Sequence, residues 1–329
     1  MEFLKQCPIC RGAKLEVLRK QQFVAEGPAL REELSPPVSD RDERLWIYFH
    51  KIRRDLSPSE LAATICDSCG FIFFNPRLTE AEITTKYETI NTLGFDQQRH
   101  RKHDLLHIGE RRRRVYDLMA SVIGPDLQGK QLEILDYGGA EGHLLVPFAE
   151  RGHATYLLDY VVYPTPDPSI RYLGRDLDDL PEDRRFDVIF LLHTLEHVVH
   201  PVELLSALRE RLRPGGWLYV ETPLGVWLEW EFLREPLTHV NFFSEQSLAA
   251  ATDRAGLKTV HLDTQWQWVT KTKNPCVNMV CSPTPGAGAV APRSSRRQMR
   301  ALAYAREALR VNARYYGKSM LKSYLRSWM

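Results

Sequence analysis

The sequence predicts an α/β fold in which a parallel, doubly wound sheet follows a small cysteine-containing module. From residue 131 onward, short apolar segments alternate with amphipathic ones, which is typical of strands that alternate with helices. Residues 187–192 are almost continuously apolar, as expected of a central parallel strand that is covered on both faces. The 329 residues suffice for about two domains of roughly 150 residues each.

The individual elements follow from local patterns. Strands are predicted at residues 132–135, 154–158, 187–192, 217–221, 257–262 and 276–281. Helices are predicted at residues 141–151, 201–212 and 244–255. The sequence Pro214-Gly215-Gly216 ends the second of these helices, because it cannot continue one. Residues 79–127 before the sheet are also expected to be helical, with acids in the first turn after Thr79.

Four of the six cysteines form a metal-binding pattern of two C-x2-C knuckles. They are Cys7, Cys10, Cys66 and Cys69. In a cytosolic chain such thiols are expected to bind metal rather than form disulfides. Four thiolates complete the tetrahedral shell of Zn²⁺ and leave no open position, so the predicted zinc site is structural. The alternative is two unlinked pairs of reduced thiols. Cys276 and Cys281 are predicted to be buried small side chains.

The stretch between the knuckles is longer than a minimal zinc ribbon needs. Residues 28–42 are predicted to be a loop, and residues 42–55 a short amphipathic helix. Residues 71–74 are predicted to be a strand that closes the zinc module, stopped by Asn75-Pro76.

Charge is distributed unevenly along the chain. The formal net charge is +2, but residues 290–329 carry +9 and the preceding residues therefore carry −7. Basic residues recur every four positions in this tail and predict a basic amphipathic helix. They are Arg306, Arg310, Arg314, Lys318, Lys322 and Arg326. A solvated face packed on the body, a dimer contact, and contact with a membrane surface or a polyanion through residues 293–329 all stay open.

The composition also restricts the class of protein and its compartment. An acidic body argues against general nucleic-acid binding. No apolar run approaches 18 residues, and the N-terminus lacks the features of a secretory signal. The chain is therefore expected to be cytoplasmic, with peripheral membrane association through the tail as an extension of that expectation. The sequence makes no prediction of the oligomeric state.

The first predicted strand of the sheet ends in a glycine-rich turn. Residues 136–142 read Asp-Tyr-Gly-Gly-Ala-Glu-Gly, and the glycines let the backbone approach a ligand closely. The turn is neither G-x-G-x-x-G nor a P-loop, since no G-K-[ST] follows. Asp159 ends the next strand about 20 residues later, where an acid can accept hydrogen bonds from both ribose hydroxyls. Together, these features predict a cofactor that contains adenosine.

These motifs resemble those of class I S-adenosylmethionine-dependent methyltransferases that carry a C-x2-C/C-x2-C zinc module before the catalytic domain. The matching stretches are residues 134–142, 158–159, 175–177, 186–197, 212–216 and 239–244. The resemblance covers nearly all of residues 1–282, and it is specific for fold and cofactor but not for substrate. It implies a Rossmann-like, doubly wound sheet of seven strands with the last strand antiparallel. One departure is Ala140, which replaces the family's usual second glycine of the turn.

The resemblance implies which residues of the turn bind S-adenosylmethionine. Asp136 would lie below the methionine end of the cofactor. Gly138 and Gly142 would line the cofactor, and Tyr137 and Gly139 belong to the same binding turn.

Further cofactor contacts are implied at the ends of the following strands. Asp159 would bind the ribose, with Tyr160 against the adenine. Asp176 would accept a hydrogen bond from the adenine amino group, and Leu177 would supply a backbone contact. His193, just after the fourth strand, would face the cofactor.

Two histidines are candidates for the catalytic base. Methyl transfer to a hydroxyl requires a positioned acceptor and removal of its proton, for which a histidine is suited near neutral pH. His239 follows the fifth strand, in the segment that covers the substrate in this fold, and is either the base or a residue that orients the substrate or packs the loop. His197 is the second candidate, with a structural hydrogen bond as its alternative. Residues 225–242 are long for a connection, and their aromatic residues are predicted to form a lid over an organic substrate, with ordinary core packing as the alternative. The aromatic residues of this segment are Trp227, Trp230 and Phe232.

The sequence therefore predicts a zinc-containing, S-adenosylmethionine-dependent methyltransferase that O-methylates a small molecule or a glycan. The substrates expected are sugars, polysaccharides and secondary metabolites. The alternative is an RNA base methyltransferase with an N-terminal zinc module. Residues 192–195, Leu-His-Thr-Leu, disfavour this alternative. They differ from the [DN]-P-P-[YFW] motif, which accepts a hydrogen bond from the amino group that is methylated, and they cannot replace it. A binding module that kept the fold without activity is third.

Four segments are expected along the chain. The zinc module with its inserted helix spans residues 1–80, and a helical connector spans residues 81–128. The cofactor-binding methyltransferase domain spans residues 129–285, and the basic helical tail spans residues 286–329.

Overall fold

A computed structural model describes residues 1–94, 107–225, 235–268, 273–283 and 292–295. The three aromatic residues predicted to form the lid and the periodic basic residues of the tail lie outside these ranges. Among the described residues, no helix is both long enough and apolar enough to cross a membrane.

The described chain forms two sheets with helices packed around the larger one. The strands are β1 (Leu15–Phe23), β2 (Ser59–Cys66), β3 (Ile72–Asn75), β4 (Glu133–Tyr137), β5 (Ala154–Leu158), β6 (Arg171–Gly174), β7 (Phe186–Leu192), β8 (Leu212–Pro223), β9 (Asn241–Phe242), β10 (Lys258–Trp268) and β11 (Lys273–Ser282). The α-helices are α1 (Asp40–Trp46), α2 (Glu80–Leu93), α3 (Ile108–Ile123), α4 (Asp126–Gly129), α5 (Val146–Ala149), α6 (Pro201–Glu210) and α7 (Glu245–Arg254). A π-helical turn, Ile47–Arg53, continues α1.

The larger sheet has the predicted architecture. Within the described residues it has seven strands in the order β10-β11-β8-β7-β4-β5-β6. Strands β4 to β8 pair in parallel, whereas β11 is antiparallel to both β8 and β10. This confirms the Rossmann-like fold with its last strand antiparallel. The carboxyl ends of the parallel strands meet at one edge of the sheet, where such folds bind ligands.

The central strand β7 divides the core between the two faces of this sheet. Val188 and Phe190 belong to the cluster of buried side chains that includes residues of α3 and α5. Ile189 and Leu191 belong to the cluster that includes residues of α6 and α7. Successive side chains of a strand point to opposite faces, so an apolar run without alternation is what a strand between two helical layers requires.

The smaller sheet joins the cysteine module to the larger domain. Its order is β1-β2-β3-β9, and all of its pairs are antiparallel. Strand β9 comes from far downstream in the chain, and its Phe242 pairs with Ile72 of β3. The buried Arg77 strengthens the junction by donating hydrogen bonds to the carbonyl of Val199 at 2.8 Å and to the side-chain oxygen of Asn241 at 3.2 Å.

Three local predictions differ from the structure. The helix predicted at residues 141–151 is wrong in extent: a 3₁₀ turn, His143–Leu145, is followed only by the four residues of α5. The positive φ of Gly142 and of Gly152 confines this helix at both ends. Strand β8 begins at Leu212 and runs through the Pro-Gly-Gly sequence, with a register shift against β7. Strands β1, β2, β6 and β9 were not predicted. The mostly exposed β1 lacks a clear alternation of apolar and polar residues, and β6 and β9 have only four and two residues.

Candidate active site

The glycine turn after β4 adopts a conformation that leaves little room for side chains. Gly138 has a φ of 76°, and a Cβ there would lie 2.5 Å from the hydroxyl oxygen of Thr194. Ala140 also has a positive φ, 51°, which is strained for a residue other than glycine. Its N–H donates to Oδ2 of Asp159 at 2.8 Å, so a hydrogen bond holds the turn where the family has glycine.

Asp136 is a buried carboxyl group beneath this turn. Its side chain is 2% exposed, and within the described residues its Oδ1 atom has no hydrogen-bond partner. Burial, together with the negative charge of Asp159, raises the pKa of Asp136 to about 7. An unpaired buried carboxyl is costly unless a ligand compensates it, and a cationic ligand fits best. The turn therefore suits the sulfonium or ammonium group of S-adenosylmethionine.

Asp176 collects three hydrogen bonds at the neighbouring strand end. Its Oδ1 accepts from the Tyr137 hydroxyl at 3.0 Å and from the N–H of Leu177 at 2.6 Å. Its Oδ2 accepts from the hydroxyl of Tyr160 at 3.0 Å. The structure thus brings these predicted adenine-site residues together, and their contacts with adenine stay predictions.

Tyr160 also links this site to α2. Its ring lies parallel to that of Tyr87, with ring centroids 5.8 Å apart and an interplanar angle of 7°. A half-exposed aromatic ring of this kind offers a stacking surface for a planar ligand.

A buried carboxylate that sequence reasoning missed lies at the end of β8. Glu221 is fully buried and accepts hydrogen bonds from Arg114 at 2.6 Å, Arg111 at 3.4 Å, Tyr219 at 2.7 Å and His193 at 2.8 Å. Although burial opposes ionisation, Arg114, His193 and Arg111 keep the pKa of Glu221 well below its usual range. Two arginines of the basic run 111–114 in α3 thus hold this carboxylate. The sequence signal that could have identified Glu221 is an acidic residue at the end of an apolar strand.

His193 lies between two carboxylates at the end of β7. It has a φ of 54°, and its Nδ1 atom is 3.4 Å from Oε1 of Glu196. Burial opposes its charge, but hydrogen bonds with Cys276, Glu196 and Glu221 raise the pKa of His193 well above its usual value. These contacts therefore favour the protonated form of His193. Cys276 is buried, as predicted.

Glu196, His197 and His239 form what we call the histidine cluster. Nδ1–H of His197 donates to the carbonyl of Thr238, which leaves Nε2 as a hydrogen-bond acceptor. The rings of His197 and His239 meet edge to face, with centroids 4.7 Å apart. Glu196 is 2% exposed, and apart from the contact with His193 its carboxylate oxygens have no hydrogen-bond partner among the described residues. The three donor atoms lie within 4.8 Å of one another, an arrangement that suits proton transfer or a divalent cation.

Both histidines of the cluster are neutral at pH 7. Burial lowers the pKa of His197 to about 4. Burial also lowers the pKa of His239 well below its usual value, and the charges of His193 and Lys86 act in the same direction. Oε1 of Glu196 lies 4.0 Å from Nε2 of His239, close enough to stabilise the imidazolium that would form on proton uptake.

The four cysteines of the two knuckles converge at the edge of the smaller sheet. The Sγ atoms of Cys7 and Cys69 are 3.5 Å apart, as are those of Cys10 and Cys66. Zn–S bonds of about 2.3 Å in a tetrahedron separate the sulfur atoms by roughly 3.8 Å. The N–H of Gly12 points to Sγ of Cys10 at 3.4 Å, as in the outer shell of a zinc knuckle. The arrangement fits the predicted zinc site, whose occupancy stays a proposal.

A sequence comparison identifies the class of the part of the chain that forms the larger sheet. Residues 99–262, about half of the chain, match the methyltransferase domain family. Together with the fold, this match shows that the segment is an S-adenosylmethionine-dependent methyltransferase domain.

Individual similar proteins match only short segments of this chain. The tRNA U34 carboxymethyltransferase of Pseudoalteromonas atlantica is 42% identical over 57 residues, which are 17% of this chain and 18% of that protein. The ubiquinone biosynthesis O-methyltransferase of Rickettsia typhi is 27% identical over 101 residues, which are 28% of this chain and 41% of that protein. The chain thus spans less than half the length of each of these curated relatives.

Among solved structures, the 1,6-didemethyltoxoflavin-N1-methyltransferase of Burkholderia thailandensis, with bound S-adenosylhomocysteine, is similar at 16% identity. The match covers 67% of this chain and 98% of that one, with a TM-score of 0.47. A methyltransferase of Mesorhizobium loti is similar at 16% identity over 50% of this chain and 99% of that one, with a TM-score of 0.39.

Replacing Asp159 by alanine should weaken the binding of S-adenosylmethionine by roughly 10- to 100-fold, because charge-assisted hydrogen bonds to the ribose would be lost. The hydrogen bond that holds Ala140 would be lost as well. Isothermal titration calorimetry measures the change, and Asp183→Ala, at an exposed aspartate, is the control. Unchanged affinity in Asp159→Ala would remove this residue from the cofactor site.

Proposed function

We propose that the protein is an S-adenosylmethionine-dependent methyltransferase that methylates a hydroxyl group of a small molecule or a glycan, with His239 as the general base. The acceptors proposed are sugars, polysaccharides and secondary metabolites. The supporting observation is the histidine cluster, where two neutral imidazoles lie beside the buried carboxylate of Glu196 at the strand ends that carry the glycine turn.

The cofactor, when bound, supplies a methyl group that its sulfonium already activates. The protein therefore has to hold the donor, place the acceptor oxygen in line and remove the acceptor's proton. The glycine turn and Asp136 would hold the methionine end, and Asp159 the ribose. Tyr160 and Asp176 would hold the adenine.

His239 is the preferred base because its burial keeps it unprotonated and Glu196 can stabilise its protonated form. His197 is fixed by its hydrogen bond to the Thr238 carbonyl, which favours an orienting role for it. Proton transfer to a positioned neutral imidazole contributes typically 10²- to 10⁴-fold to the rate.

A second candidate function is methylation of an RNA base. Its support is the similarity over 57 residues to proteins named tRNA U34 carboxymethyltransferase. The net charge of −7 before the basic tail and the lack of an amino-group acceptor in residues 192–195 count against it. Contact of the tail with a polyanion or a membrane surface stays a prediction, as does the zinc at the four cysteines.

The decisive experiment for the substrate class uses the full chain with S-adenosylmethionine labelled in the methyl group. Cell extract is divided into RNA, glycan and small-metabolite pools, and incorporation into each pool is measured. Label in the glycan or metabolite pool that resists mild base is expected for a methyl ether. Label confined to RNA would refute the proposed acceptor class.

The affinity for S-adenosylmethionine should rise between pH 6 and pH 8 by up to roughly tenfold, because Asp136 ionises in this range. Its carboxyl group, with a pKa of about 7, is mostly neutral at the lower pH and mostly charged at the higher one. Only the charged form attracts the sulfonium. Calorimetry at several pH values measures the effect, and Asp136→Asn should bind more weakly with a flat profile. An equally steep profile in Asp136→Asn would contradict the assignment.

A further inference from the structure

A polar cleft of about 420 Å³ lies between α3 and the edge strand β10. Residues of α3, β10 and β11 line it, and the roles described above do not use the cleft itself. Strand β10 runs parallel to β8, since both are antiparallel to β11. The end of β10 therefore lies at the same edge of the sheet as the active site.

The side chains along this face of β10 are unusual for a sheet covered by a helix. Asp263 pairs with Asn278 of β11, which pairs with Glu221 of β8, so the three lie side by side on one face. Arg114 of α3 donates to both Asn278 and Glu221, which shows that α3 covers this face. By strand alternation, Gln265 and Gln267 follow Asp263 on the same face, where apolar residues would be expected.

Gln267 lines the cleft with a side-chain amide that lacks hydrogen-bond partners. Its side chain is 3% exposed, and neither its Oε1 nor its Nε2 atom has a hydrogen-bond partner within the described part of the chain. By contrast, Asp263 accepts from Asn278 at 2.8 Å and from Gln265 at 2.5 Å. A buried amide without partners destabilises the fold, so a ligand is the simplest explanation for its presence.

The charges in the cleft indicate a neutral ligand. Among the described lining residues, the carboxylates of Glu110, Asp117 and Asp263 balance the guanidinium groups of Arg111, Arg113 and Arg114. A phosphate or another polyanion would require an excess of positive charge. Alternating donors and acceptors instead suit hydroxyl groups, each of which donates and accepts at once.

We propose that this cleft is a carbohydrate-binding subsite in which the amide of Gln267 recognises hydroxyl groups of the acceptor. The proposal rests on the proposed function, because it places the non-reacting part of a glycan acceptor in the cleft. Arg111 and Arg114 line the cleft and contact Glu221, which in turn contacts His193 at 2.8 Å. One layer of side chains therefore separates the cleft from the end of β7.

The test measures binding without turnover. A panel of methyl glycosides of hexoses, 6-deoxyhexoses and hexosamines is screened by saturation-transfer NMR, and glycosides that bind are titrated by calorimetry. At least one glycoside is expected to bind the wild-type chain, and Gln267→Met should weaken that binding at least tenfold. The matched control is Gln22→Met, at an exposed glutamine of the other sheet, which should bind as the wild type does.

The melting temperature separates a binding role from a structural one. Gln267→Met should melt at or above the wild-type temperature, since it replaces an unpaired buried amide with an apolar group of similar shape. The proposal is wrong if no glycoside binds, if Gln267→Met binds as the wild type does, or if its melting temperature falls well below that of the control. A glycoside that binds in the cleft while methylation is confined to RNA would refute the proposed function and leave the subsite standing.

Discussion

Replacing His239 by alanine is expected to lower turnover by roughly 10²- to 10⁴-fold while leaving the affinity for S-adenosylmethionine nearly unchanged. The imidazole belongs to the histidine cluster and not to the glycine turn, so we expect its loss to remove the proton acceptor and to spare the cofactor site. Single-turnover kinetics and cofactor titration measure the two effects separately.

The pH dependence makes this prediction more specific. Because the pKa of His239 lies well below its usual value, the wild-type base is unprotonated throughout the neutral range and loses activity only in acid. In His239→Ala the rate should instead rise with pH, because hydroxide or the ionised acceptor replaces the base. The deficit of the variant therefore shrinks at high pH.

His197→Ala is the control for the assignment of the base. Full turnover of His239→Ala at every pH, together with a loss in His197→Ala, would show that the base is His197. If both variants kept full turnover, the acceptor would need no base and the hydroxyl proposal would weaken. If turnover instead depended on an added divalent cation that chelator removes, the histidine cluster would be assigned to metal binding.

Replacing Cys66 by serine is expected to release zinc and to lower the stability of the whole chain. A structural zinc site contributes about 10–16 kcal/mol of apparent binding free energy at neutral pH, and losing one of four ligands removes much of it. Elemental analysis of protein purified without chelator should find one zinc per wild-type chain. Thermal unfolding of the two proteins should show a clear fall in the melting temperature of Cys66→Ser.

Cys281→Ser is the matched control, since this buried cysteine lies on β11 and belongs to neither knuckle. It should retain the zinc. Wild-type protein without zinc, or a Cys66→Ser variant with an unchanged zinc content and melting temperature, would contradict the proposed site.

Local sequence patterns sufficed for the glycine turn and for most of the main sheet, but not for the short strand β6. The apolar run of β7 needs no knowledge of distant residues, because helices on both faces demand it. The turn after β4 and the acid at Asp159 were likewise visible, since ligand-binding turns of this kind depend on residues near in sequence. The structure places the Ala140 N–H on that carboxylate.

The rest of the site depends on contacts between residues that are far apart in the chain. Nothing near Glu221 in sequence shows that Arg111 and Arg114 of α3 will neutralise it. Strand β9 has only two residues and takes its strand conformation from pairing with β3. Burial of Gln267 without a partner depends on α3 as well. Such features arise from tertiary packing, which overrides local propensity.

The pairing of β9 with β3 restricts how this protein can evolve by exchange of modules. His239 lies two residues before β9, and the side-chain amide of Asn241 donates to the carbonyls of Leu195 at 3.0 Å and Val198 at 2.6 Å. The same short strand thus touches both the cysteine module and the turn that carries His197. A recombination event with its crossover near residue 80 would replace β3 by the strand of another protein. Strand β9 would then have to pair with a strand whose side chains do not complement its own. Successful exchanges should therefore carry residues 235–243 together with the N-terminal module, so that the two segments are inherited as one unit despite their distance along the gene.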